Sequence, residues 1–185
     1  MALTPTTSIP LGFTAPDFSL PDVVTGQQKS FQTIRGDKGT LVMFICNHCP
    51  FVVHVREALV KLAQDYMGKG IGVVAISSNN VETHPQDGPE FMKALAEEVN
   101  FPFAYLYDET QAIAKAYDAA CTPDFSVFDA NEKCVYRGQL DGSRPGNDVP
   151  NDGKDMRKVL DLLVDGKSVP EAGQIPSVGC NIKWK

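Results

Sequence analysis

Residues 41–55, Leu41-Val42-Met43-Phe44-Ile45-Cys46-Asn47-His48-Cys49-Pro50-Phe51-Val52-Val53-His54-Val55, decide the fold. The unbroken apolar run Leu41 to Ile45 suits a strand buried on both faces. Beyond it Val52, Val55, Leu59, Leu62 and Tyr66 recur at steps of three and four, which predicts one face of a helix. Pro50 falls in the first helical turn, where its missing N–H costs nothing. The stretch therefore reads as a βα unit with Cys46 at the point where strand gives way to helix.

The same pattern extends outward. Gly68 and Gly70 close the helix, and Ile71 to Ile76 is a second buried strand. A helix over Pro89 to Val99 follows, with Met92, Leu95, Ala96 and Val99 on one side, then a strand at Phe103 to Tyr107 and a short helix near Thr110 to Tyr117. Phe125 to Phe128 and Lys133 to Arg137 form an antiparallel hairpin at the sheet edge, and Gly153 to Val164 a last helix. Upstream, Phe18 to Val24 and Lys29 to Ile34 predict a small hairpin. Pro5, Pro10 and Pro16 suppress regular structure at the start. This order predicts an α/β fold, a mostly parallel sheet with an antiparallel edge and helices on both faces. Residues 1–14 read as an N-terminal arm, 15–165 as one domain and 166–185 as a C-terminal tail; Asp141 to Asp152 is a long polar loop, functional or mobile.

At 185 residues with 43% hydrophobic and 22% charged, the chain has enough apolar material for one core, and disordered, collagen-like and low-complexity classes are excluded. A formal charge of −6 disfavours nucleic acid as a partner. No apolar run approaches the ~20 residues of a membrane-crossing helix. The opening residues Met1 to Thr6 lack the features of a secretory signal, so the expected compartment is cytoplasmic. There, five cysteines argue for reduced thiols, metal ligation or redox chemistry and against a disulfide framework.

Cys46-Asn47-His48-Cys49 carries the chemistry. A cysteine at a helix N-terminus faces unsatisfied N–H groups and the positive end of the helix dipole, and its thiol pKa falls from about 8.5 into roughly the 3.5–7.5 range. The expectation is that Cys46, exposed at this corner, is a nucleophilic thiolate supported by His48, and that Cys49 resolves the mixed disulfide. His54, His84 and the polar rim Ser77-Ser78-Asn79-Asn80 read as solvated or half-buried, and Cys134 as core packing. Cys180 lies in a tail with little reason for rigidity; a distant resolving thiol, an intermolecular bridge and a free cysteine stay open. Arg144 is a candidate for steering anionic substrates. Cys46 and Cys49 with either His54 or His84 are also candidate zinc or copper ligands, which makes a metal carrier a rival reading.

The strand–Cys-x-x-Cys–helix arrangement, Thr122-Pro123 before a strand, and Ala15-Pro16-Asp17-Phe18-Ser19-Leu20 together resemble the redoxin branch of the thioredoxin superfamily. That branch includes the alkyl hydroperoxide reductase/thiol-specific antioxidant group and the membrane-tethered thiol-disulfide reductases. Residues 176–184, Pro176 to Trp184, further resemble a bacterial subgroup carrying Cys-Asn-His-Cys-Pro. The resemblance implies a thioredoxin-like fold, a mixed central sheet flanked by helices with an N-terminal hairpin extension and a C-terminal tail. It implies a thiol–disulfide oxidoreductase with no cofactor, acting on protein or small-molecule disulfides and recycled by an external thiol donor. It also implies a cis Thr122–Pro123 bond whose backbone meets a substrate strand, and it brings Cys121 near Cys46 as an additional redox thiol or a buried filler. Ile45 and Asn47-His48 depart from the thioredoxin pattern, and the assisting carboxylate's position is Thr40. Met43 and Cys46 replace the threonine that marks peroxidases, although an atypical thiol peroxidase consuming hydroperoxide stays open.

Overall fold

Residues 3–185 are described in the computed structural model, so Met1 and Ala2, where the signal-sequence reading begins, lie outside the described residues. In chain order the elements are β1 (Leu3–Pro5), β2 (Ser19–Pro21), β3 (Gln28–Ser30), α1 (Phe31–Ile34), β4 (Gly39–Phe44), α2 (Pro50–Met67), β5 (Ile71–Ser77) and α3 (Pro89–Val99). They continue as β6 (Ala104–Tyr107), α4 (Ala112–Ala116), β7 (Cys121–Thr122), β8 (Asp124–Asp129), β9 (Cys134–Arg137), α5 (Lys154–Val164) and β10 (Val178–Asn181).

Strand β4 is buried throughout. Its side chains divide by parity, as a two-residue period requires. Leu41 and Met43, continued by Ile45, pack with α2, α3 and α5, whereas Val42 and Phe44 pack with Phe31 of α1, Ala114 of α4 and Tyr117. The sheet order is β6-β5-β4-β8-β9. Pairings β4–β5 and β5–β6 are parallel, β4–β8 and β8–β9 antiparallel, so the sheet is mixed in equal measure and not mostly parallel. β2 and β3 form the small N-terminal hairpin. Its expected second arm turns helical at Phe31, because Ser30 and Thr33 satisfy each other's backbone N–H groups in a capping box.

The two ends of the chain depart most from expectation. β1 pairs antiparallel with β10, and β10 with β7, giving a separate three-stranded sheet order β1-β10-β7. Arm and tail are thus ordered against each other and against the segment preceding Pro123. The Asp141 loop is also pinned: buried Asp141 accepts from the Ser143 and Gly153 N–H groups, and Asn151 Nδ2 donates to the His54 carbonyl.

Candidate active site

The strand does not pass directly into the helix. Residues 45–49 intervene, and α2 opens at Pro50 with Cys49, not Cys46, as its N-cap in extended conformation (φ −63°, ψ 124°). The exposed corner expected for Cys46 is absent, since Cys46 is 1% and Cys49 0% exposed. The helix-terminus argument holds physically but applies to the later cysteine. Cys49 Sγ donates to the Thr122 carbonyl at 3.2 Å and to Cys180 Sγ at 2.9 Å, and it makes no side-chain cap bond to the N–H groups that open α2. Coupling to the neighbouring Cys46 thiol outweighs burial and draws the Cys49 thiol below its ordinary value. Cys46 moves the opposite way: donation to Cys49, burial and the nearby Asp87 carboxylate push its thiol up. Cys46 and Cys49 thus titrate as one coupled pair that shares a single proton.

Asp87, which no motif singled out, holds the intervening loop in place. It is fully buried at the end of the short turn Pro85–Asp87, just before α3. Its Oδ1 accepts from the backbone N–H groups of Asn47 (2.8 Å) and His48 (3.3 Å). Its Oδ2 meets His48 Nδ1 at 2.6 Å and accepts from Asn79 Nδ2 at 2.9 Å. Asn47 is held further by donation from Tyr105 Oη to its Oδ1 and from its own Nδ2 to the Gln86 carbonyl. The only sequence signal was an acidic residue at a Gly-Pro corner on the carboxyl-end rim of the sheet. Donor atoms of Cys46, His48 and Asp87 lie within 4.8 Å of one another, a sulfur, nitrogen and oxygen set of the kind that binds zinc or copper. The histidine of that set is His48, not the expected His54 or His84, and the carboxylate takes the place expected for Cys49.

The Thr122–Pro123 bond is cis. Thr122 Oγ1 lies 3.5 Å from Cys46 Sγ, and the Thr122 carbonyl 3.2 Å from Cys49 Sγ, so this loop does face the pair. Its strand edge is already occupied, however: β10 pairs with it in the register Cys180↔Thr122 and Asn181↔Cys121. Cys180 Sγ stands 2.9 Å from Cys49 Sγ. Cys180 therefore belongs to the site, contrary to the loose tail expected for it, and burial pushes its thiol up to about 12. Cys121 sits on the opposite side of β7 from Thr122. Its sulfur contacts the Pro123 carbonyl and the Asp124 carboxylate, with burial raising its thiol, and the filler reading describes this placement.

The rim residues Ser77, Ser78, Asn79 and Asn80 are buried instead of solvated. They anchor the tail, through Asn79 Oδ1 accepting from the Lys183 N–H and the Asn80 N–H donating to the Lys183 carbonyl. His84 stacks on His48 with ring centroids 5.1 Å apart, while half-buried His54 contacts Ser143 Oγ. Cys134 is core packing. Arg144 spends its guanidinium on the Asp141 and Ser143 carbonyls and Gln139 Oε1, which leaves it an internal clamp. A shallow cleft lies beside the site, with Phe51, Pro123 and Val178 among its walls. No described helix is long and apolar enough to cross a membrane.

A mixed sheet and a cis-proline loop facing two neighbouring thiols at the start of a helix define a thioredoxin-like protein of thiol redox chemistry. The family-level match is to Redoxin over residues 10–156, and the chain belongs to that family of thiol–disulfide oxidoreductases and peroxidases. No curated protein matches it. It is similar to an uncharacterized conserved protein from Geobacillus kaustophilus, with 56% identity, a TM-score of 0.97 and coverage of 100% of this chain and 97% of that one. A hypothetical protein from Sinorhizobium meliloti is 46% identical, with a TM-score of 0.95 and 98% of each chain covered. The thioredoxin domain of a thiol-disulfide oxidoreductase from Bacteroides vulgatus shares the fold at 19% identity, with a TM-score of 0.63 over 83% of this chain and 99% of that one.

Proposed function

We propose that the protein is a thiol–disulfide oxidoreductase working through the Cys46/Cys49 dithiol, with Cys49 as the attacking thiolate and Cys46 as the thiol that completes the exchange. The observation that carries this reading is the buried Cys49 sulfur at the start of α2, 2.9 Å from the Cys180 sulfur, coupled to the Cys46 thiol and facing the cis Thr122–Pro123 loop. A thiolate at neutral pH is the reactive form in disulfide exchange. These roles reverse the order expected from sequence, because the helix caps itself on Cys49.

In the first step Cys49 thiolate attacks one sulfur of a substrate disulfide, forming a mixed disulfide and releasing one substrate thiolate. Cys46 then loses its proton and attacks Cys49 Sγ, which closes the Cys46–Cys49 bond and releases the second substrate thiol. In this direction two electrons pass from the protein dithiol to the substrate, and the same bonds exchange in reverse when the Cys46–Cys49 disulfide oxidises a substrate dithiol. His48, oriented by Asp87 and within 4.8 Å of Cys46, is placed to take the Cys46 proton. Thr122 and Pro123 border both sulfurs and are the proposed substrate contacts. A protein or small-molecule disulfide is the substrate class, and an external thiol returns the dithiol to its reduced form.

Reduction of insulin disulfides with a thiol recycler tests the assignment. Cys49→Ser should lower the rate by at least about a hundredfold. Full activity in Cys49→Ser would remove the role given to that residue. Hydroperoxide consumption without disulfide reduction would move the protein to the peroxidase side of its family.

A further inference from the structure

The tail strand β10 lies on the edge beside the cis-proline loop, where a substrate strand would pair. Several independent features build it into that position. β1 pairs on its far side, matching Leu3 to Cys180. Gly179 permits the close approach, since a Cβ there would lie 2.0 Å from the Thr122 carbonyl oxygen. Downstream, the Lys183 carbonyl accepts from the Asn80 N–H at 2.7 Å and from Gln111 Nε2 at 2.8 Å. The result is a thiol 2% exposed whose sulfur is 2.9 Å from that of Cys49. A disulfide bond of about 2.05 Å would require an approach of about 0.9 Å.

We infer that Cys180 is a third redox thiol of this centre, exchanging with the Cys46/Cys49 pair to form an intramolecular Cys49–Cys180 disulfide. The inference rests on Cys49 being the attacking thiol. In the exchange, Cys180 Sγ attacks Cys49 Sγ of the Cys46–Cys49 bond. The Cys49–Cys180 bond forms, the Cys46–Cys49 bond breaks, and the departing Cys46 sulfur takes the proton that Cys180 gives up. No external oxidant or reductant is needed, because the step is an isomerisation of one protein disulfide. The same attack on a Cys49–substrate mixed disulfide releases substrate thiol and closes the same bond. β10 thus acts as a built-in substrate strand: external disulfides compete with it for the Thr122 edge, and oxidation ties it down across that edge.

The test uses the full-length reduced protein, glutathione disulfide at neutral pH, an acid quench, blocking of free thiols, then intact-mass and tryptic-peptide analysis. In the wild type, peptide 39–56 should be found joined to peptide 168–183. Cys46→Ser should form the same link and retain no glutathione. The double variant Cys46→Ser/Cys180→Ser should hold one glutathione and lose it at least tenfold more slowly. The third-thiol role is overturned, with the oxidoreductase reading intact, if oxidised wild type contains only Cys46–Cys49 and a blocked Cys180, or if Cys46→Ser keeps its glutathione like the double variant. Absence of any reaction of the wild type with glutathione disulfide overturns both.

Discussion

At the scale of single residues, the site consists of the coupled thiols Cys46 and Cys49 and the groups that set their shared proton. The Cys49 thiol falls from 9.0 to about 4 on folding, so the folded state binds its proton more weakly than the unfolded chain. The corresponding stability is fully present above about pH 9 and is lost as pH falls through about 4. Denaturant unfolding of the reduced protein should therefore show an advantage over Cys49→Ser that grows with pH between those limits. A pH-independent difference would contradict the ionised thiol. Asp87 gives a second prediction: Asp87→Asn removes the charge from bonds to Asn47, His48 and Asn79 and should cost about 1–3 kcal/mol in urea unfolding. Neither residue's role was fully legible in the sequence. The Cys-x-x-Cys segment announced redox chemistry, but the identity of the helix cap depends on residues 45–49 looping out, and that loop is held by Asp87, 40 positions beyond Asn47.

Among the elements, those with strong local periodicity were legible. β4, β5, α2, α3 and α5 lie where apolar runs and three-and-four spacings put them, with α3 matching residues 89–99 throughout. β10 was not legible, because Val178-Gly179-Cys180-Asn181 is short, contains a glycine and draws its order from partners far away in the chain, in β1 and β7. Ser77 to Asn80 were misread for a related reason: their polar side chains and backbone groups bind the tail and neighbouring loops instead of water. The β10 contact supplies the prediction at this scale. Gly179→Ala would place a methyl group 2.0 Å from the Thr122 carbonyl oxygen and must push β10 off β7. It should lower stability by about 1–3 kcal/mol and speed alkylation of Cys49 by iodoacetamide, the sulfur that β10 covers. Unchanged alkylation and stability would show that β10 does not seal the site.

Over the whole molecule, a mixed sheet with a separate apolar cluster on each face carries one reactive edge, and both chain ends fold back onto that edge. The thiolate's hydrogen bonds exist only in the reduced state, so the fold stabilises reduction at the expense of the disulfide. Thermal unfolding should accordingly show the reduced protein to be more stable than its oxidised form. The reduction potential should lie nearer about −120 mV than about −270 mV; a value at or below the latter, with the oxidised form the more stable, would contradict that balance. The most direct measurement is the ultraviolet thiolate absorbance of the reduced protein as a function of pH. The wild type should ionise one thiol with a midpoint near 4, and Cys49→Ser should lose that transition. If no thiolate forms until about pH 8.5, the value of an ordinary free thiol, or if the low transition persists in Cys49→Ser, the charge does not reside on Cys49.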